Sequence, residues 1–274
     1  MKKQPYYVDY HTHNARCGHA VGNLREYIEQ AIELGFDEIG VSDHFPLFHI
    51  PEERKLSEIT MEPEELDGYV EEAIRLKEEY RQQIQVRVGI EADYVPGWEE
   101  FLERELAKYP FDYILGSVHF IGEWDHSDSR CVHHWEGKDI EQVYREYYRL
   151  VEQAADSRLF DSLAHFDVIK RFNHRPDSDL TDVITGVLQT VKRNDLCVEV
   201  NTSGEFMPVK EVFPSNQILS ICKQLDIMLT VGSDAHAPHR VGTNIKRTYE
   251  QLRELGFQQI AGFVQRKRYG ISLL

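Results

Sequence analysis

No apolar run in the sequence approaches the about 20 residues that a bilayer-spanning helix needs, which argues against a membrane protein. Met1 to Tyr7 hold two lysines with no apolar stretch behind them, so they do not read as a secretion leader. Cysteine is scarce. Cys17, Cys131, Cys197 and Cys222 form no C-x-x-C pair and no regular spacing, which argues against a disulfide framework or zinc knuckle and reads as reduced thiols of a cytoplasmic protein. Basic charge is also short: 31 lysines and arginines face 47 acidic residues, for a net charge of −16. Such a surface repels a polyanion, so nucleic acid is a disfavoured partner. Most acidic residues, as in Glu62 to Leu66 and Glu99 to Glu103, read as solvated helix faces. Linkers, low-complexity segments and repeats are missing too, so residues 1–274 read as one domain. The sequence carries no signature of a particular oligomeric state.

What is present is alternation. Tyr6 to Tyr10, Glu38 to Ser42, Val86 to Ile90, Asp112 to Ser117, Ser162 to Ala164, Cys197 to Val200 and Ile227 to Val231 read as short strands. Helical patterns separate them. Asn23 caps one that Gly35 stops, and Pro63 starts another that runs to about Gln82, with Leu66, Val70, Ile74 and Leu76 on its buried side. Further helices are expected over Glu99 to Lys108, Ile140 to Ala155, Thr181 to Asn194, Ser215 to Leu225 and Thr243 to Gly256. Gly122 to Gly137 has no periodicity and reads as a long loop; Gln259 to Tyr269 reads as one more strand and a helix. About seven βα units in a row predict an α/β fold with a parallel sheet closed into a barrel, although an open doubly wound sheet has the same periodicity.

The polar residues fall at the ends of these strands. The first runs into Asp9-Tyr10-His11-Thr12-His13 and the second into Ser42-Asp43-His44. The third ends at Gly89-Ile90-Glu91, the fourth at Ser117-Val118-His119, the fifth at Ala164-His165, and the last at Gly232-Ser233-Asp234-Ala235-His236. In a parallel barrel all these ends open on one face, so residues distant in sequence converge on one cleft. Imidazole and carboxylate are the ligands of zinc, manganese and iron. A single H-x-H pair is explained as well by a buried histidine bonded to a carbonyl. So many ionisable groups at strand ends are not, because burying them without a cation is costly. His49, His126, His133, His134 and His174 read as surface or substrate-contact residues, whereas His239 follows Asp234-Ala235-His236 closely enough to reach the cleft.

This ordered set resembles the PHP superfamily (polymerase and histidinol phosphatase) over nearly the whole chain. The segment His11 to His19, with Cys17-Gly18-His19-Ala20, looks most like the monofunctional PHP-type histidinol-phosphate phosphatases. The resemblance implies a distorted barrel of seven βα units, with two to three divalent metal ions (zinc, manganese or iron) at the C-terminal ends of the strands. It implies that His11, His13, Glu91 and Asp234 hold the first ion, and Glu91, His119 and His165 the second. His19, His44 and His236 would hold the third, with Asp43 supporting or ligating. Arg16 departs from the pattern, since relatives often carry an apolar residue there.

The implied reaction is hydrolysis of a small phosphomonoester, L-histidinol phosphate, to L-histidinol and phosphate in histidine biosynthesis. The expected course is in-line attack by a hydroxide shared between two metals, with no phosphoenzyme. Lys170, Arg171 and Arg240 are the candidate phosphate contacts, although ordinary surface charge explains them as well. Asp234 or His239 would protonate the leaving group. Glu205 or Asp93 would suit the substrate's cationic groups, and Trp124 and Trp135 make the loop of Gly122 to Gly137 a candidate lid. Two other readings compete: a phosphodiesterase acting on nucleotide or oligonucleotide ends, and a non-catalytic metal-binding scaffold.

Overall fold

Three of the helices begin at a side chain that accepts from their free N–H groups: Asn23, Asp139 and Ser215. The computed structural model describes residues 5–50 and 59–273; Lys2 and Lys3, on which the reading of the N-terminus rests, lie outside them. Strand β1 (Val8–Asp9) is followed by α1 (Leu24–Glu33), whose cap Asn23 accepts from Glu26 N at 3.2 Å while Glu26 accepts from Asn23 N at 2.7 Å. Next come β2 (Glu38–Val41), α2 (Leu66–Tyr80), β3 (Gln85–Asp93), α3 (Glu99–Leu106) and β4 (Tyr113–Ser117). On α2, Ala73 is buried where Ile74 was expected to be; Ile74 is exposed.

The segment expected to be a long loop contains a short antiparallel hairpin, β5 (Phe120–Ile121) and β6 (Trp124–Asp125), and a 3₁₀ stretch over Ser129–Trp135. The chain continues through α4 (Ile140–Ser157), β7 (Ser162–Leu163), α5 (Thr181–Arg193), β8 (Cys197–Asn201), α6 (Asn216–Gln224), β9 (Leu229–Gly232) and α7 (Ile245–Glu254). It ends in a second hairpin, β10 (Gln259–Val264) and β11 (Lys267–Ser272), in place of the strand and helix expected there. Gln265 and Arg266 take positive φ, which ends β10 in a tight reversal and leaves no room for a helix.

The seven main strands form one parallel sheet in the order β1-β2-β3-β4-β7-β8-β9. Its two edges meet: Tyr10 N donates to Val231 O at 3.0 Å, and Thr12 pairs in parallel with Ala235. The result is a nearly closed (βα)7 barrel, as the strand pattern predicted, and the doubly wound alternative is excluded. Tyr113 crosses the interior and donates to Tyr10 O at 2.6 Å. It fits because Gly40 and Gly89 face it; a Cβ at either would run into its ring. Phe263, from the C-terminal hairpin, stacks on Tyr113 with ring centroids 5.7 Å apart and plugs the N-terminal mouth. The opposite mouth is left open for polar residues.

Candidate metal centre

The open mouth is a cleft of about 680 Å³ whose floor carries His44, Glu91, His119, His165, Asp234 and His236. Glu91 stands at the centre. Its Oε1 lies 2.8 Å from His165 Nε2 and 3.8 Å from His119 Nε2. Its Oε2 lies 3.2 Å from His11 Nε2, 3.5 Å from His13 Nε2 and 3.0 Å from His44 Nδ1. Asp234 Oδ1 closes the first group at 3.0 Å from His13 Nε2 and 3.7 Å from His11 Nε2. A tetrahedral cation with bonds of about 2.1 Å spaces its ligands about 3.4 Å apart, so this quartet has the dimensions of a coordination shell.

The donor chemistry fits a divalent cation as well. His11 Nε2, His13 Nε2 and Glu91 Oε2 are buried without a hydrogen-bond partner. Orphaned buried atoms of this kind are costly and call for a cation. Most of the histidines are held from behind. His11 Nδ1 is 2.7 Å from Glu199, His13 Nδ1 is 3.4 Å from Asp43, and His119 Nδ1 is 3.0 Å from Asp93. His19 Nδ1 and His236 Nδ1 face the carbonyl oxygens of Cys17 and Asp234 at 3.1 and 3.0 Å. A carbonyl oxygen only accepts, so both Nδ1 atoms carry the proton and both Nε2 atoms present lone pairs. Those Nε2 atoms lie 2.9 Å apart, a repulsive arrangement unless a cation lies against them. His119 and His165 also bring their Nε2 atoms together, 3.2 Å apart.

The electrostatics show the same demand for positive charge. Burial disfavours the His13 imidazolium, but Asp234 and Asp43 outweigh it and raise the pKa to about 9. Burial opposes the His119 imidazolium too, and Asp93 and Glu91 raise it to about 10. Burial would lift Glu91, yet His44 and His11 hold it well below the usual carboxylate range. At the outer edge, burial together with His44 and His13 lowers His19 to about 4. Backbone conformation is unusual at two of these positions: His165 at φ 25° and Asp234 at φ 53° are left-handed non-glycine residues, a cost that clusters where function requires it.

Each strand-end residue expected at a metal is therefore in the cluster. His44 sits between groups, beside His13 and His236 on one side and Glu91 and His119 on the other. Asp43 stands behind it: its Oδ1 also accepts from His44 N at 2.9 Å and its Oδ2 accepts from Asn14 Nδ2, so it supports His13. Arg171, Arg240 and His239 line the cleft. Arg171 Nε has no hydrogen-bond partner among the described residues, and Arg240 lies over the Phe206 ring, 3.8 Å from its centroid.

Four expectations need correction. Lys170 does not reach the cleft; it is 2 % exposed and its Nζ is bound to Asp167 Oδ2 at 2.9 Å and Val212 O at 2.9 Å. Glu205 is tied to Asn244 and Arg247 and is no wall of the cleft. Trp135 is buried and packs against Trp124 and His174 with centroids 5.0 and 4.6 Å apart, so the loop's aromatics are its own core. What that loop gives the cleft is Asp125, Ser127, Asp128, Ser129 and Arg130. His126 is no surface group either: burial, with His119 nearby, lowers it to about 3, and its Nε2 donates to Val118 O at 2.9 Å.

The sequence reading missed Asp9 as a fastener and Glu199 altogether. Asp9 accepts from Ser233 N, Ser233 Oγ and Gly242 N at 2.8, 2.5 and 2.8 Å and ties β1 to the loop after β9. Glu199 lies in an apolar strand, Cys-Val-Glu-Val, where a fully buried acid is itself the signal.

The PHP domain family model matches residues 9–203. The chain is 35% identical over 251 residues to a probable histidinol-phosphatase of Deinococcus radiodurans, covering 90% of this chain and 93% of the relative. It is 30% identical over 259 residues to the histidinol-phosphatase of Bacillus subtilis, covering 85% and 95%. In three dimensions it is similar to the histidinol phosphate phosphatase of Lactococcus lactis solved with zinc, L-histidinol and phosphate: TM-score 0.82, 22% identity, 97% of this chain and 100% of that one. With the barrel, its strand-end donors and these relatives in agreement, the chain belongs to the PHP domain family.

Proposed function

We propose that this protein hydrolyses L-histidinol phosphate to L-histidinol and inorganic phosphate, with two to three divalent ions held in the cleft. The observation that carries the reading is the set of orphaned donors, His11 Nε2, His13 Nε2 and Glu91 Oε2, at the floor of an open cleft. The relatives of D. radiodurans and B. subtilis, described as histidinol-phosphatases, supply the substrate. His11, His13, Glu91 and Asp234 form the first position, and Glu91, His119 and His165 the second. His19 and His236, with His44, form the third. Bound divalent ions supply Lewis acidity there: they lower the pKa of water and neutralise phosphate charge.

The remaining work falls to the chain. Arg171 and Arg240 present guanidinium groups to the phosphate oxygens, and Phe206 keeps the Arg240 plane fixed. Burial pushes the pKa of Arg171 down against the pull of Asp234, Asp125 and Asp128, but a guanidinium stays charged, so a bound anion is a favourable partner for it. Asp234 is a poor proton donor. Burial would raise its pKa, but His11, His13 and His236 hold it well below the usual range, and its Oδ2 already accepts from Ser203 Oγ at 3.1 Å. His239, exposed on the rim, is the residue we assign to protonating the leaving alkoxide. Asp93, Asp125 and Asp128 also line the cleft; they favour a substrate that carries cationic groups, and disfavour an oligonucleotide. Among the described residues no helix is long and apolar enough to cross a membrane, and the four cysteines are free, which supports a cytoplasmic setting.

The test is phosphate release from L-histidinol phosphate beside a panel of phosphomonoesters and diesters, with zinc or manganese and after chelation. A strong preference for L-histidinol phosphate that chelation abolishes is the expected result. Equal turnover of unrelated esters would overturn the substrate, and turnover unaffected by chelation would overturn the metal.

A further inference from the structure

Strand β8 ends without a cluster histidine or carboxylate of its own, yet its inward residues touch ligands from three other strands. Glu199 and Asn201 are two apart and share one face of the strand. Glu199 Oε1 lies 2.7 Å from His11 Nδ1, beyond β1. Glu199 Oε2 accepts from His165 N at 2.8 Å, beyond β7, and from Asn201 Nδ2 at 3.0 Å. Asn201 Nδ2 reaches Asp234 Oδ2 at 3.4 Å, beyond β9.

We propose that Glu199 is the positioning residue of the metal centre, a single carboxylate that fixes His11 with one oxygen and His165 with the other and so builds the first and second cation positions together. An ionised carboxylate only accepts hydrogen bonds. His11 Nδ1 must therefore donate, which leaves the Nε2 lone pair directed at Glu91 and Asp234, 3.2 and 3.7 Å away. The second oxygen acts on backbone. His165 sits at φ 25°, a conformation that a non-glycine residue holds only when its surroundings enforce it. The Glu199 bond to its N–H is that enforcement, and it aims His165 Nε2 at Glu91 Oε1, 2.8 Å away. The contact is built in: a Cβ at Gly232 would collide with both the Glu199 carboxylate and His11.

Glutamine is the discriminating replacement. It keeps the shape of glutamate but replaces one acceptor oxygen with a donor NH2. If the NH2 faces His11, the imidazole must flip tautomer and its Nε2 carries a proton that blocks a cation. If it faces His165, it meets the N–H of His165 and the Nδ2 of Asn201, donor against donor. Neither orientation serves both positions, so whichever the amide takes, at least one position is lost.

The inference rests on the reading of the cleft as a metal centre, so its test reads metal and not turnover. Apo-protein is titrated calorimetrically with zinc, wild type beside Glu199→Gln, with far-UV circular dichroism as the check on folding. The expected result is zinc affinity about 10- to 100-fold weaker at one or both of these positions in a folded variant. A folded variant with wild-type affinity and stoichiometry would overturn the role of Glu199. A wild type that binds no zinc would overturn the metal centre and this inference with it. If the variant does not fold, histidine-selective ¹⁵N spectra of wild-type zinc protein decide: His11 with a hydrogen-bonded Nδ1–H supports the assignment, and His11 protonated on Nε2 overturns it.

Discussion

His165 Nε2 lies 2.8 Å from Glu91 Oε1, although 74 residues separate the two in sequence. The other oxygen of the same carboxylate faces His11, His13 and His44, so Glu91 belongs to both halves of the cluster. Replacing it with glutamine removes the shared negative charge. Glu91→Gln should lose bound metal and reduce kcat by more than the about 10- to 100-fold expected of an outer partner. Metal analysis of the dialysed variant beside steady-state kinetics checks this; near-normal metal content would contradict it.

Arg171 and Lys170 are neighbours with opposite fates. Arg171 should act on substrate: Arg171→Ala removes a charge-assisted contact of about 1.5–3 kcal/mol and should raise KM for the phosphomonoester by about 10- to 100-fold. Lys170 should act on stability. Its Nζ is 2.9 Å from Asp167 Oδ2, with both side chains buried, and breaking such a pair on one side costs about 3–5 kcal/mol. Lys170→Met should lower the unfolding free energy by that amount while KM of the folded enzyme stays put. Kinetics and urea melts on the two variants separate the roles.

Metal binding should strengthen with pH. Relative to an unfolded histidine near about 6.5, the cation-free fold raises His13 to about 9 and His119 to about 10. A raised basic group gives stability that is fully present below about 6.5 and lost as pH climbs through those raised values. Zinc must displace the same protons, so its apparent affinity should rise from about pH 6 to about pH 8.5, and so should the increment it adds to Tm. Melting curves with and without zinc across this range test the sign; an increment that shrinks with pH would contradict it.

The loop after β5 and β6 should be sensitive to Trp135 through folding. Its ring packs between Trp124 and His174, away from the substrate space. Trp135→Ala should cost about 3–5 kcal/mol, as large-to-small core changes do, without singling out imidazole-bearing substrates. A selective rise in KM for L-histidinol phosphate over other esters, at unchanged stability, would restore a lid role for the ring.

The cluster was legible in the sequence because one physical rule covers it. Parallel strands end on one face, so His11, Glu91, His119 and Asp234 could be grouped without knowing a single distance. Direction within a loop follows no such rule. Lys170 and Arg171 are adjacent, but the 3₁₀ turn over Val168–Lys170 sends one inward to Asp167 and leaves the other facing the cleft. Glu205 was misjudged in the same way, since its partners Asn244 and Arg247 come from distant chain. Glu199 stayed hidden because an acid in an apolar strand acquires meaning only when His11 and His165 arrive from other strands. The C-terminal hairpin was missed because its strands pair only with each other and lie outside the βα rhythm.

The barrel closes where β1 meets β9, through Tyr10 N to Val231 O and the pairing of Thr12 with Ala235. His11 and His13 extend from one lip of that junction, Asp234 and His236 from the other. A cation gripped by both lips is a rivet between the beginning and the end of the chain. Filling the site would then do more than prepare chemistry: it would lock the hoop, and amide exchange at Tyr10, His13 and Ala235 would gauge how firmly it is locked.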